Sequence, residues 1–479
     1  MDIFFGRIQN VFLRSEKASA MKEETLNKSM GLDLTTGPVM PLLLRFFLPL
    51  LLANLLNSIY NTVDTIIIGR FVGSTGIVAV TMGGKMLNLF SNVGISFAAG
   101  GQVLIAQLSG ARRRRDMNSA IGTMFTEMLV LSVLAAAILI LLSRRILLWL
   151  NTPEESFPAA LAYLRITSVG LPLIFGYNAV SAVLRGMGDS KNPLVFIAIA
   201  ALFNLIGDIA FIVLFQMGAA GTAIATVMGQ GISLAFSAVI LYRRRESFGF
   251  DFRLRSFAVD WRKLGIMLRI GLPLAVRGIC ITGTQLLLMG YVNLFGLTES
   301  AAYSVGDKIY HLSTIFVTSV GQGAGGMVSQ NIGAGRLERV KTIMLCTFAL
   351  SMGAAVALSL CSLLFPTAIF GLFTDEGAVL AYAKSFMRIC CVIYVACSLM
   401  GTYDSVVTGT GQAVLGFIGG VLDGVVFRVC FSFLFAYGLN MGITGFFMGE
   451  ALARLGPILV DSIYYHSGAW KRRKRLIDG

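Results

Sequence analysis

Between residues 40 and 465, short polar breaks divide the chain into twelve apolar runs: 40–70, 76–108, 118–142, 160–184, 193–216, 220–242, 264–294, 299–332, 340–364, 380–408, 412–437 and 442–465. The hydrocarbon core of a bilayer is about 30 Å thick, so a helix of about 20 residues crosses it. Each run reaches that length. Their hydrophobicity is continuous and carries Gly and Pro inside it, where barrel strands would be short and alternating, so helices are expected. Hydrophobic residues make up 56% of the 479 and charged residues only 13%, with a mean hydropathy of +0.77. No length remains for a large soluble domain. The expected fold class is an all-α membrane protein of about twelve transmembrane helices.

The second half repeats the first. Gly83-Gly84-Lys85-Met86 corresponds to Gly306-Asp307-Lys308-Ile309, Gln107-Leu108-Ser109-Gly110-Ala111 to Gln330-Asn331-Ile332-Gly333-Ala334, and Gly186-Met187-Gly188 to Gly409-Thr410-Gly411, all 223 positions apart. Leu48-Pro49 returns as Leu272-Pro273 at 224. With six spans in each half, the two copies have the same orientation, a parallel repeat about an axis along the membrane normal. The predicted organisation is a leader at 1–37, an N-lobe at 38–245, a linker at 246–260, a C-lobe at 261–466 and a basic tail at 467–479.

The net charge of +14 is carried mainly by loops. Arg112 to Arg115, Arg243 to Arg245, Arg336 with Arg339 and Lys341, and Lys471 to Arg475 fall on one side if the spans alternate. The opposite connections carry almost no Lys or Arg, with Arg144 and Arg145 as the exception. This is the positive-inside pattern, which places both termini in the cytoplasm and assigns the basic residues to topology and lipid head groups rather than nucleic acid. The leader lacks a signal-peptide pattern, and both Met1 and Met21 qualify as its start. All seven cysteines fall within spans without ligand spacing, and there are only two histidines. Neither disulfides nor a metal centre is expected.

Polar residues inside the spans mark the candidate site. Asn54, Asn57, Asn61 and Asp64 recur every three or four residues along one helical face. A mid-span Asp costs about 2.5–3.5 kcal/mol on insertion scales, so this face should meet the bundle interior or a water-filled cavity. Tyr60 lies one turn before Asp64 and can hydrogen-bond it. Asn204 and Asp208 share a face of the fifth span. Two carboxylates converging in low dielectric invite a proton or a bound monovalent cation. In the second half Asp423 and Glu450 precede Arg428 and Arg454 by about a turn and read as local pairs, whereas Asp404 has no evident partner. Adjacent Asp307 and Lys308 read as inter-helix pairs. There is no P-loop, paired-His protease motif or nucleophile elbow, so ATP hydrolysis and familiar hydrolase chemistry lack their parts. No cofactor is expected. The residues by themselves indicate an ion-coupled transporter.

Asn61-Thr62-Val63-Asp64 with Ile68-Gly69-Arg70, the repeated Gln-x-x-Gly-Ala, Arg185-Gly186-Met187-Gly188-Asp189, and Asn204 with Asp208 together resemble the multidrug and toxic compound extrusion (MATE) family, over about residues 38–466. The resemblance implies two six-helix lobes exporting cationic, amphipathic compounds in exchange for H⁺ or Na⁺. It implies an N-lobe coupling site of Asp64, Asn178, Asn204, Asp208 and Thr226. Tyr60, Asn61, Gln285 and Asp404 are the candidates for touching substrate. The seventh span lacks the acid that another branch of the family uses, holding only Gln285 and Arg277. The expected protein is a monomeric, multi-pass antiporter of a bacterial inner membrane, with small organic cations and membrane lipids as its partners. A lipid-linked oligosaccharide flippase of the same superfamily is the nearest alternative, with Arg277 as the residue to watch. An intramembrane enzyme or a channel are alternatives from other classes.

Overall fold

The computed structural model describes residues 31–478, so most of the predicted leader, with both possible start methionines, lies outside the described residues. The main helices are α1 (Val39–Phe71), α2 (Ser74–Gly110), α3 (Arg114–Trp149), α4 (Phe157–Val169 and Leu171–Gly186), α5 (Lys191–Leu214) and α6 (Gly218–Arg243). The second half adds α7 (Trp261–Val292), α8 (Leu297–Gly333), α9 (Glu338–Leu364), α10 (Ala383–Gly409), α11 (Ala413–Gly438) and α12 (Ile443–His466). The described residues contain no strand.

Ten of these helices are long and apolar enough to cross a membrane, and α4, bent by 47° between its two segments, makes an eleventh. The remaining predicted span, 299–332, falls within α8, which has the length, at 37 residues, but not the hydrophobicity. More than half of its residues are buried, so α8 meets mostly protein and carries buried polar residues such as Ser319, Gln330 and Asn331.

Helices α1–α6 pack together as one lobe, through α5–α6, α1–α5, α2–α4 and α3–α4, and α7–α12 form the other, through α8–α10, α9–α10 and α7–α11. Residues 246–260 lie along α3. Thr126 Oγ1 donates to the Phe257 carbonyl at 2.7 Å, and Thr123 Oγ1 accepts from the Asp260 N–H at 3.0 Å. Asp260 then caps α7, accepting the Arg262 and Lys263 N–H groups at 3.2 and 3.3 Å. Burial alone would raise its pKa, but the Lys263 N–H and ammonium hold it below the usual carboxylate range.

The lobes meet where α2 crosses α7 and α8 and where α1 crosses α8. Small residues set the spacing. A methyl on Gly110 would stand 2.0 Å from the Gln330 carbonyl oxygen, and one on Gly333 would stand 2.1 Å from that of Gln107. The two contacts exchange under the repeat. So do two hydrogen bonds: Gln330 Nε2 donates to the Gly186 carbonyl at 2.9 Å, and Gln107 Nε2 donates to the Gly409 carbonyl at 3.3 Å. Each Gln thus satisfies a last-turn carbonyl that the opposite lobe's helix leaves open. Gln330 Oε1 accepts the Leu34 N–H at 3.3 Å, and Gln107 Oε1 accepts the Leu476 N–H at 2.9 Å. Nearer the middle, Gly271 packs on Phe97 and Gly323 on Phe47. These contacts all fall in the halves of the helices nearest the Arg-rich loops.

Alanine at Gly110 or Gly333 should therefore cost about 1–3 kcal/mol through overpacking against backbone. The same change at Gly353, where nothing lies within 4 Å, should cost nothing. Thermal unfolding of the purified protein in detergent measures both.

Candidate functional site

Beyond these contacts the lobes diverge around a cavity of about 650 Å³ walled by both. The whole polar stripe of α1 faces it: Asn54, Asn57, Asn61 and Asp64. Asn54 also reaches across the seam, its Nδ2 donating to Ser319 Oγ at 2.9 Å. A row that would be costly in lipid is thereby placed against water or a neighbouring lobe. Tyr60, Tyr163 and Tyr177 add aromatic wall.

Asp64 is nearly buried at the edge of this cavity and Asp208 is wholly buried behind it. Helices α1 and α5 pack side by side and bring the two carboxyls into contact. The Asn204 amide, in the orientation that satisfies both its ends, donates to Asp64 Oδ1 at 2.8 Å and Oδ2 at 3.3 Å, while its oxygen accepts the Thr226 N–H at 3.3 Å. Thr226 Oγ1 donates to the Thr222 carbonyl at 2.9 Å and keeps its lone pairs near the site. Neither oxygen of Asp208 has a donor among the described residues. Its one polar neighbour of note is another acid. The backbone changes character here too, because α5 passes into a π-helical turn, Ile209–Leu214, directly after Asp208. Such turns concentrate at sites of function.

Of the predicted coupling residues, the fold therefore gathers Asp64, Asn204, Asp208 and Thr226 into one cluster. Asn178 lines the cavity but makes no hydrogen bond to either carboxyl. Tyr60, Asn61 and Asp404 are also in the cavity wall, and Tyr60 is close enough to Asp64 to feel its charge.

Gln285 requires correction as a substrate-touching candidate. It is not among the residues lining the cavity, and its Nε2 donates to Glu450 Oε1 at 3.3 Å inside the C-lobe. Its face of α7 turns toward α12, which residue spacing alone could not disclose. The pairing of Glu450 is corrected as well. Its carboxylate binds Arg428 Nη1 at 2.7 Å and Tyr303 at 3.0 Å, while Arg454 reaches only its backbone carbonyl, with Tyr310 and Cys397. Arg428 also holds Asp423 at 2.9 Å. Asp404 does have a partner, Arg277 at 3.1 Å. Asp307 pairs with His311 in its own helix, at 3.4 Å, rather than with another helix.

Sequence reasoning passed over two groups. Asp461 is buried with neither oxygen bonded among the described residues. Arg185, a cation in the cavity wall, is held by Gln102 Oε1 at 3.0 Å. The repeat did contain a usable signal for the C-lobe cluster: Arg428, Glu450 and Gln285 stand 224 positions after Asn204, Thr226 and Asn61.

Known proteins share this fold. The MatE family model matches residues 49–210 and 273–434, one stretch in each lobe. The protein named "Probable multidrug resistance protein YpnP" of Bacillus subtilis (strain 168) is 26% identical over 446 residues, 92% of this chain and 98% of that one. "Probable multidrug resistance protein YoeA" of the same organism is 25% identical over 439 residues, 90% and 95% of the two chains. Among solved structures, one described as "Outward-facing conformation of a multidrug resistance MATE family transporter of the MOP superfamily" superposes with a TM-score of 0.87 at 19% identity, covering 94% of this chain and all of that one. Another, described as "Crystal structure of MATE in the straight conformation", gives a TM-score of 0.86 at 20% identity over 93% of this chain and all of that one. At these identities the likeness speaks for the fold. Two matched stretches, laid over two lobes that share one cavity, make this chain a member of the MatE family of multidrug efflux transporters.

Proposed function

We propose that the chain is a secondary antiporter exporting organic cations in exchange for H⁺ or Na⁺, with Asp64 and Asp208 as the coupling carboxylates. The observation that carries this reading is the contact between these two acids beside the shared cavity, with the neutral Asn204 amide as their only donor among the described residues. Two carboxylates without a fixed cation are costly to keep ionised together in a low-dielectric interior. One proton or one Na⁺ removes that cost, and opening the site to the other side of the membrane lets it leave. Thr226 stands beside Asn204 and Asn178 lines the same cavity, so both are candidates to supply neutral oxygens to such an ion. The relatives' names, the tyrosine-rich wall and the acidic groups Asp64 and Asp404 favour amphipathic cations as cargo. A pyrophosphate-linked sugar would meet these acids and, among the described wall residues, a single arginine already held by Gln102.

Taking the Arg-rich end as cytoplasmic, the lobes are closed toward the cell interior and the cavity opens outward. Alternating access then requires the Gln107–Gly409 and Gln330–Gly186 bonds to break while the outer halves of the helices meet. This reading places the protein as a monomer in a bacterial inner membrane, with lipid as its solvent and both termini inside.

The C-lobe would not couple. At the repeat position of Asn204 it carries Arg428, a tethered cation that binds both Asp423 and Glu450, with Arg454 as a second fixed cation beside Glu450. We therefore assign the ion switch to the N-lobe alone.

In liposomes, the protein should accumulate ethidium uphill under one imposed gradient, H⁺ or Na⁺, and not under the other. Asp64→Asn and Asp208→Asn should each remove most of this uptake, and undiminished uptake in both variants refutes the coupling assignment. Stability should diverge between the lobes. Asp208→Asn should leave the melting temperature equal or higher, whereas Arg428→Gln, stranding two buried acids, should cost about 3–5 kcal/mol in detergent unfolding.

A further inference from the structure

The C-lobe wall of the cavity holds an acid that ion coupling does not use. Asp404 projects from α10 with its side chain 26% exposed and accepts Arg277 Nη1 at 3.1 Å. Arg277 arrives from α7 along a glycine face of α11. A Cβ on Gly420 would lie 2.2 Å from its Cγ, and one on Gly416 would lie 3.6 Å from Nη1. Behind this pair, on α12, Asp461 is 1% exposed, and neither of its oxygens has a hydrogen-bond partner among the described residues. Arg277 and Asp404 are both near enough to Asp461 for their charges to act on it. One guanidinium therefore serves two carboxylates while bonding only the one that faces the cavity.

A buried carboxylate left without a donor is costly, and a guanidinium has donors to spare. The usual resolution is a second bond to the same arginine, yet Arg277 bonds Asp404 and not Asp461. The glycines at 416 and 420 are what admit its stem between α7 and α11. What the cluster lacks is a second cation.

We infer that Arg277 is a resident cation, holding Asp404 while the cavity is empty and transferring to Asp461 when an organic cation binds Asp404, so that Asp461 positions Arg277 for substrate recognition. This deepens the export reading above and rests on it. The cargo it selects is a monovalent cation with a flat or bulky apolar body. Neutral and anionic compounds cannot replace the charge that Arg277 withdraws. Without Asp461, Arg277 has nowhere to go and blocks Asp404. Without Arg277, Asp404 stays open and Asp461 ceases to matter.

The test is ethidium and tetraphenylphosphonium binding to the purified full chain in lipid nanodiscs, with size-exclusion chromatography as the check on folding. Asp461→Asn should weaken both ligands by about tenfold, Asp461→Glu should restore affinity, and Arg277→Met should bind at least as tightly as wild type. The decisive comparison is the double variant. In the Arg277→Met background, Asp461→Asn should change nothing, because no arginine needs a second partner. Wild-type affinity in Asp461→Asn, or an equal loss in both backgrounds, overturns the inference while leaving export intact. If Asp461→Asn does not fold, Arg277→Met decides, and weakened binding there overturns it. Failure of the wild type to bind either cation sinks the export reading and this inference with it.

Discussion

The crossing of α2 and α8 is the contact on which the two lobes depend. It joins two copies of one motif, Gln-x-x-Gly-Ala, so that each glycine admits the other copy's backbone and each glutamine bonds a terminal carbonyl of the opposite lobe. Every element has a small net value, since a protein hydrogen bond exchanged with water is worth about 1 kcal/mol. Those carbonyls lie at the last turns of α4 and α10, where water replaces the amide once the helices part. The seam is thus well determined in register yet inexpensive to open. A two-lobed transporter needs both qualities.

On this symmetric frame the interiors of the lobes are opposite in electrical design. Asn204 and Thr226 in the N-lobe surround acids with neutral dipoles. At the corresponding C-lobe positions Arg428 and Glu450 form a closed ion pair, completed by Asp423, Tyr303 and Gln285. The backbone stays common to both: the π-helical turn at Ile209–Leu214 recurs at Leu434–Gly438. Shared geometry with exchanged charges makes the N-lobe cluster dependent on a mobile ion, while the C-lobe cluster at the corresponding positions carries its own cation.

Much of this was legible because the bilayer demands long apolar helices and because the repeat keeps a constant register. The twelve runs and the two halves follow from those constraints. Spacing also found the right face of α1, since a polar stripe in lipid is not viable. It failed for Gln285 because helical periodicity gives a direction and not the neighbour found there. Glu450 was paired with Arg454 on local spacing, while its ionic partner, Arg428, comes from the preceding helix. Asp404 looked solitary because Arg277 is 127 residues away in sequence. Asp461, close to the basic tail, resembles an ordinary helix-end acid until α7, α10 and α11 close around it.

The chain ends extend the logic of the seam. The segment before α1 belongs to the N-lobe by sequence, yet it bonds chiefly to the C-lobe, through Gln330 and Asn331 to Leu34, Arg336 to the Thr35 carbonyl and Arg339 to that of Gly37. The Leu32 N–H, bonded to the Gly188 carbonyl, and Asp33, accepting from Arg112 at 3.5 Å, tie it back. The segment after α12 does the converse, reaching Gln107 and Arg113 of the N-lobe while Arg473 and Arg475 bond Gly411 and Gly333. Each end is a strap across the closed side, attached to the lobe it does not continue. Any state in which the lobes part there must peel one attachment of each strap. Because the arginine attachments are partly exposed while those to Leu34 are buried, water can replace the arginine bonds first and the buried ones after them. Opening this side is thereby divided into small steps instead of a single concerted rupture.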